Sequence, residues 1–387
     1  MTGICSTGCP LYVKGNLNAM KENIIINGDC IEKLKDLDEK SVDLIFADPP
    51  YWMRTGGILK RVEGTDFDGC HDAWDRFSSL EDYEEFTRLW LTACRRVLKD
   101  TGSIWVIGGM QCIYTIGAAM QDTGFWLIND VIWHKKNPTP NFMGARLANS
   151  HETLIWAARS KSSAYTFNYK TGKELNHDTV NDEEFRNGVR KQMGSVWRIA
   201  VCNGSERLKD QKGDKVHSTQ KPLDLLERII AISSKPGDLV LDPFAGTMTT
   251  GVAAKKLGRN YIMIERDQSY CSYGKDRLDA TDFDDTPIAR AEYDKKPPRV
   301  TVQEMIKNGV LMAGEDFYLK KGGPVATLRS DGKLEYKGTV MDMHSCAAVA
   351  RGSRAERLNG FDFWFVLRDG KLRPIADIRE EYRKTVY

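Results

Sequence analysis

From residue 23 to residue 280, short apolar runs alternate with apolar residues spaced for helices. The runs at 24–26, 42–47, 103–107, 126–133, 153–157, 239–241 and 260–264 have strand length and end in polar or turn-forming residues. Each therefore reads as a strand of a buried sheet. Leu80, Tyr83, Phe86, Trp90, Cys94 and Val97 recur at helical spacing, and Leu225, Leu226, Ile229 and Ile230 repeat that pattern just before the strand at 239. Both stripes read as the core-facing sides of helices. The alternation predicts an α/β fold, a doubly wound and mainly parallel sheet with helices on both faces.

After residue 280 the pattern changes. Residues 281–298 carry many Asp and Lys residues and three prolines, which suits a linker. Beyond it, Ser330-Asp331-Gly332-Lys333 and Arg368-Asp369-Gly370-Lys371 have the composition of hairpin turns between strands, and they predict a small α+β domain over 299–387. Residues 1–22 lie outside both domains and read as an N-terminal extension.

Composition agrees with a large enzyme. At 387 residues and 41% hydrophobic content the chain can bury a full core. No apolar run approaches the ~18 residues of a membrane span, and no basic, apolar leader is evident, so the expectation is a cytoplasmic protein with no membrane partner. Nine irregularly placed cysteines read as free thiols. Cys5 and Cys9 are the one close pair, and they lack the second half of a zinc set, so no metal is expected. A net charge of +2 does not identify a nucleic-acid binder. The distribution is more informative: Lys135, Lys136 and Arg146 flank Asn137-Pro138-Thr139-Pro140-Asn141-Phe142, a loop able to contact phosphates and base edges or to serve as a solvated connection. Residues 299–387 hold 16 Lys/Arg against 12 Asp/Glu, and Arg351, Arg354 and Arg357 cluster there, as a phosphate clamp or as ordinary surface charge.

Two strand ends carry candidate chemistry. The run at 42–47 closes on Asp48-Pro49-Pro50-Tyr51. In an open α/β sheet, ligands bind outside the carboxyl ends of the strands. There Asp48 and the Pro49 carbonyl can each accept one proton of an exocyclic amine on a flat base, the prolines restrict φ and offer no competing N–H, and Tyr51 offers a face for stacking. A strand-ending turn with a solvated Asp is the plainer alternative. The second end, Asp242-Pro243-Phe244-Ala245-Gly246-Thr247-Met248-Thr249-Thr250-Gly251, is a small-residue turn leading into a helix. Such a turn admits close approach of a ligand to backbone N–H groups. The next strand ends in Glu265, placed to hold two ribose hydroxyls. An ordinary dinucleotide site is the competing reading, but the turn lacks that fingerprint's spacing, which favours a smaller adenosine cofactor.

With His217-Ser218-Thr219-Gln220-Lys221-Pro222 as a third signature, the order of these boxes resembles the β group of amino-directed DNA methyltransferases that use S-adenosylmethionine on a Rossmann-like sheet. Asn27-Gly28-Asp29-Cys30, residues 41–52, Gly102-Ser103-Ile104-Trp105-Val106-Ile107-Gly108 and His151-Glu152-Thr153-Leu154-Ile155-Trp156 look like the adenine methyltransferases that modify GANTC. That subgroup includes solitary cell-cycle enzymes and partners of restriction endonucleases. The similarity runs from about residue 23 to the C-terminus.

The resemblance implies methyl transfer from S-adenosylmethionine, leaving S-adenosylhomocysteine, to the N6 of an adenine rotated out of double-stranded DNA. Residues 23–280 would form the methyltransferase domain, with target recognition at about 135–215 and in the C-terminal domain; the protein would be nucleoid-associated if bacterial, and a homodimer. Asp48, Pro49, Pro50 and Tyr51 would be catalytic. Asp29 and Cys30 would lie by the cofactor adenine, Phe244, Gly246, Thr247 and Thr249 around the methionine moiety, and Glu265 on the ribose. His217, Ser218, Thr219, Gln220 and Lys221 would line the carboxylate and amino end, with Asp48, Asp242 and Arg266 completing the cofactor set. On the DNA side stand Trp52, Arg54, Lys135, Lys136, Asn137, Asn141, Arg146, Arg351, Arg354, Asn359, Phe361 and Trp364.

The chain departs from the family pattern at several places. Met248 and Met263 stand where Gly is usual, which predicts a tighter pocket or weaker cofactor binding. Phe361 replaces a more usual Trp in the segment given a base-contact or strand-separating role, and residues 177–194 form a longer stretch. Asp48 favours adenine over cytosine-N4 chemistry, where Ser is commoner. Cytosine C5 chemistry needs a nucleophilic Cys after Pro, and Cys9-Pro10 has the wrong order. The intact catalytic box and ribose acid argue against a non-catalytic DNA-binding scaffold.

Overall fold

In the computed structural model, residues 22–52, 58–60, 66–68, 77–138, 147–320 and 324–386 are described. Two compact units divide the chain, Met1–Lys295 and Lys296–Tyr387.

The first unit is organised by one eight-stranded sheet. Its order is Ile24–Asn27, Asn260–Glu265, Leu239–Asp242, Val42–Ala47, Leu98–Gly108, His151–Ala158, Trp126–Lys135 and Val196–Ile199. The first five strands are parallel to one another. His151–Ala158 runs antiparallel to both neighbours, and Val196–Ile199 is parallel to Trp126–Lys135. The strand Val196–Ile199 has no apolar run in the sequence, because only Trp197 and Ile199 point inward while Val196 and Arg198 are exposed.

Central strands are buried on both faces, which is why they read as continuous apolar runs. In Val42–Ala47 every residue but Asp43 is buried, and Leu44 and Phe46 join one hydrophobic core while Val42, Ile45 and Ala47 join the other. Asp43 answers for its position with the Lys99 ammonium at 2.7 Å and the Leu239 N–H at 3.0 Å. The stripe at 80–97 is one helix, Leu80–Val97, capped by Ser79, and its buried Tyr83, Trp90 and Cys94 lie in the second core. Helices Leu223–Ser233 and Thr249–Lys256 pack in the first core. Doubly wound architecture, helices on both faces, follows directly.

Register decides what meets at the sheet's edge. Ile45 pairs with Leu241, Met263 with Asp242, and Asn27 with Glu265. The chain therefore leaves four neighbouring parallel strands at the same level, and Asp29, Asp48, Phe244 and Glu265 are delivered to one rim.

The expected linker is partly something else. Ala289 is fully buried and its carbonyl accepts from Arg259, while the Asp294 carboxylate takes the Lys170 and Thr171 N–H groups at 2.9 and 2.8 Å. Charged composition masked this docking, since Asp294 acts as a cap for backbone donors on another segment. The boundary between the units follows Lys295, within the expected linker.

The second unit carries a six-stranded antiparallel sheet in the order Thr339–Met341, Leu334–Tyr336, Pro324–Leu328, Asp316–Tyr318, Phe365–Arg368 and Lys371–Pro374. Helices Val302–Lys307, Met343–Arg351 and Ile375–Val386 accompany it. Both expected hairpins are present, with Asp369 and Gly370 at φ 50° and 76° in the tighter one.

Candidate active site

A cavity of about 290 Å³ opens at the rim where the four parallel strands end. Every catalytic and cofactor candidate named from the sequence lines it except Ser218. The Asp48 turn and the turn after Asp242 share this one space.

Asp48 is the most consequential group. Its Oδ2 accepts from the Lys221 ammonium at 2.6 Å, and its Oδ1 is buried with no hydrogen-bond partner among the described residues. A buried acceptor without a donor is costly unless a ligand supplies one. Burial raises the Asp48 carboxyl above its ordinary value, more than Lys221 lowers it. Lys221 is itself raised: burial opposes its charge, but Asp48 and Glu152 outweigh that. Tyr83 holds the turn's backbone by donating to the Pro50 carbonyl at 2.8 Å, and Trp52, at φ 49°, stacks on Tyr83 with centroids 5.8 Å apart.

Tyr51 donates to Glu152 Oε2 at 2.9 Å, and Lys135 donates to Glu152 Oε1 at 2.7 Å. Two corrections follow. Lys221 reaches Asp48 and does not sit only at a cofactor's amino-acid end. Lys135 is turned into the wall of the site, because the period of two that buries Val131 and Trp133 places Lys135 on the same face. Glu152 was not among the candidates. The signal was present: it shares a face with buried Leu154 and Trp156, and a carboxylate in that phase needs partners inside the protein.

On the cofactor side, Asp242 is a brace. It accepts from the Phe244 N–H at 2.9 Å and the Thr250 hydroxyl at 2.5 Å, and burial lifts its carboxyl to about 7. Glu265 accepts from the Gly246 N–H at 2.8 Å and the Asp267 N–H at 2.7 Å, tying its strand end to the turn while lining the cavity. Gly246 has φ 50°, and a Cβ there would lie 3.3 Å from His217 Nε2, so the turn needs glycine. Asp29 caps the helix Cys30–Lys35 through the Ile31 and Glu32 N–H groups. The Cys30 thiol, pushed up to about 12 by burial, stays protonated and is no nucleophile. Gln220 is spent on the Leu208 N–H and the Glu206 carbonyl, so its side chain braces a loop.

The two methionine departures do not tighten the cavity. Met248 and Met263 are both fully buried and neither lines it. A Cβ on Gly274 would lie 2.1 Å from Met248 Cγ, and one on Gly251 would lie 3.1 Å from Met263 Cγ. Each methionine fills room left by a glycine on a facing helix.

The DNA-side candidates scatter. Arg54, Asn141 and Arg146 lie outside the described residues. Asn137 accepts from the Val201 N–H, and Lys136 is exposed. In the second unit Arg351, Arg354 and Asn359 are exposed, with Arg351 over the Phe363 ring at 4.6 Å and Asn359 donating to Asp362. Trp364 is fully buried, donating to the Met343 carbonyl at 3.0 Å, and Phe361 is 7% exposed beneath the Arg379 guanidinium. Both aromatics belong to that unit's core, since a large ring in a small domain is worth more buried than displayed.

Comparison with known proteins agrees with this geometry. Residues 42–276 match the DNA methylase family, and residues 284–387 match the domain described as Restriction Enzyme Adenine Methylase Associated. Type II methyltransferase M.HinfI of Haemophilus influenzae is 44% identical over 369 residues, which cover 94% of this chain and 99% of that protein. Type II methyltransferase M2.DpnII of Streptococcus pneumoniae is 39% identical over 275 residues, 70% of this chain and 92% of that protein. Among solved structures, that of the M1.HpyAVI–SAM complex aligns at a TM-score of 0.46 and 26% identity, over 66% of this chain and 98% of that one. By the family match over residues 42–276 and the likeness to these two relatives, and with its three boxes gathered on one rim of the sheet, the chain belongs to the DNA methylase family.

Proposed function

We propose that this methylase transfers a methyl group from S-adenosylmethionine to the N6 amine of an adenine rotated out of duplex DNA, at GANTC sites. The observation that carries the reading is the buried Asp48 Oδ1, without a hydrogen-bond partner among the described residues, in the cavity that also holds Glu265 and the Gly246 turn. Adenine, not cytosine, is supported by Asp at the first position of the catalytic box and by the kind of domain matched at 284–387. The site sequence rests on the segments around Asp29, Asp48, Trp105 and Glu152 that resemble GANTC enzymes.

The residues present fit the cofactor. A turn with a left-handed Gly246 whose Cβ would crowd His217, a strand-end acid at Glu265 and the capping Asp29 are the elements an adenosine ligand needs. Glu265 would hold the ribose, Asp29 the adenine, and Phe244, Thr247 and Thr249 the methionine moiety. Bound S-adenosylmethionine supplies an electrophilic methyl group on a positive sulfonium.

Everything else is done by the chain. The target amine's lone pair is delocalised into the ring, and as the nitrogen pyramidalises its protons become acidic. Hydrogen bonds from them to Asp48 and the Pro49 carbonyl then strengthen toward the transition state, which is differential binding of the kind that accelerates a reaction. Burial, by raising the Asp48 carboxyl, makes it a better acceptor for the departing proton. Rotating the base out costs a few kcal/mol, and stacking on Tyr51 offsets part of that.

Base-resolved modification mapping on a random-sequence duplex tests the reading. N6-methyladenine confined to GANTC is expected; N4-methylcytosine, or methylation elsewhere, overturns it. Asp48→Ala should abolish transfer while leaving duplex affinity within about threefold, a change worth less than 1 kcal/mol.

A further inference from the structure

Four charged groups and one phenol form a closed network beneath the catalytic turn. Lys221 Nζ lies 2.6 Å from Asp48 Oδ2 and 4.0 Å from Glu152 Oε2. Glu152 Oε2 already accepts from the Tyr51 hydroxyl, and its Oε1 is held by Lys135. Side-chain exposures are 7% for Lys221, 14% for Glu152, 16% for Lys135 and 17% for Asp48, so the groups are largely shielded from water. Two ammonium groups face two carboxylates, as the pairs Lys221–Asp48 and Lys135–Glu152 bridged by the 4.0 Å approach of Lys221 to Glu152.

This arrangement poses a problem for the proposed reaction. An ammonium on Asp48 Oδ2 withdraws the charge that the target amine must draw on. If Lys221 simply left, it would be a buried cation without a partner, which is strongly unfavourable. Glu152 resolves this. Its Oε2 stands 4.0 Å from Lys221 Nζ, a gap that a side-chain rotation can close; burial pushes the Glu152 carboxyl up, but Lys221 and Lys135 together hold it below its ordinary value. The Tyr51 hydroxyl shares that oxygen, so the ring beside the target base is coupled to the lysine's position.

Resting on the methyl-transfer reading above, we propose that Glu152 is a positioning residue of the reaction: it receives the Lys221 ammonium when the target amine engages Asp48. Lys221 then alternates between two carboxylates and is never left uncompensated. Asp48 Oδ2 is masked until a base enters.

A double-mutant cycle on the full-length protein tests this. Single-turnover methyl transfer is measured with labelled S-adenosylmethionine and a GANTC duplex for wild type, Glu152→Gln, Lys221→Met and the double variant. Cofactor and duplex dissociation constants are measured for each. Glu152→Gln is expected to slow transfer about 10- to 100-fold, the range for losing a charged hydrogen-bond partner. Both dissociation constants should stay within about threefold of wild type, a difference too small to explain that loss. In the Lys221→Met background the same change should slow transfer by less than about threefold, because no ammonium remains to be received. An equal loss in both backgrounds, or a loss confined to binding, overturns the proposal. Should Glu152→Gln fail to fold, Glu152→Asp in both backgrounds reads the same coupling with the charge kept but drawn away. Wild-type product lacking N6-methyladenine would instead refute the adenine reading, independently of the cycle.

Discussion

Gly274→Ala is a small change with a large expected effect. Gly274 lies in the helix Gln268–Asp279, and the added Cβ would meet Met248 Cγ at 2.1 Å and Met248 Cβ at 3.0 Å. Carbon atoms at rest stand about 3.5–4.0 Å apart, so one side must move by more than 1 Å. Met248 has little freedom to do so. It is fully buried, and its backbone is left-handed at φ 64° as it opens the helix Thr249–Lys256. Overpacking of a rigid core costs about 1–3 kcal/mol, and this contact belongs at or above the upper end. At roughly 2–4 °C per kcal/mol for a domain of 150–250 residues, the thermal midpoint should fall by at least about 6 °C. Met248→Gly alone loses a buried side chain but removes a left-handed non-glycine, an offset of order 1–3 kcal/mol. In the double variant the new methyl occupies the vacated space, so the two changes should be non-additive by more than about 1.5 kcal/mol in urea denaturation. Cofactor affinity of the double variant should match wild type, since neither side chain lines the cavity. Additivity within about 0.5 kcal/mol, the limit expected for independent sites, would refute the packing argument. Changed cofactor affinity in a stable double variant would return Met248 to the pocket.

Glu265→Ala should raise the S-adenosylmethionine dissociation constant about tenfold or more, the loss of a charged acceptor, with the duplex constant nearly unmoved; calorimetric titration of both ligands checks this, and equal weakening of both counts against the ribose role. Asp242→Asn should bring a stability gain that depends on pH. Because burial raises the folded-state carboxyl to about 7, well above its ordinary value, the protonated acid favours folding, and that contribution is lost as pH rises from about 4 through 7. The variant's advantage in denaturation midpoint should therefore grow over that window and level off above it; a gap independent of pH would exclude the buried-acid account. Trp364→Ala should destabilise the second unit by about 3–5 kcal/mol, visible as a new early transition in limited proteolysis. An unchanged proteolytic pattern with lost duplex binding would instead restore Trp364 to a surface role.

What could be read from the sequence was what depends on local pattern and on strand ends. Val42–Ala47 and Leu239–Asp242 are apolar because they are covered on both faces, and a parallel sheet delivers the residues after such strands to one rim whatever the loops do. That single rule put Asp48, Gly246 and Glu265 in one cavity. Side-chain direction obeys a different rule. Lys135 reads as a DNA contact because it borders a basic, proline-rich loop, yet the phase of Val131 and Trp133 had already aimed it inward. Trp364 and Phe361 read as a recognition segment through their aromatic character, but six short strands need large rings to fill their core. Lys221 and Glu152 are separated by 69 positions in the chain and by 4.0 Å in the fold. No local pattern links them: Glu152 lies on the strand His151–Ala158 and Lys221 just before the helix Leu223–Ser233. A charged residue in phase with a buried face is thus a better guide to the site's interior than a charged residue in a loop, since its charge has to be answered within the protein.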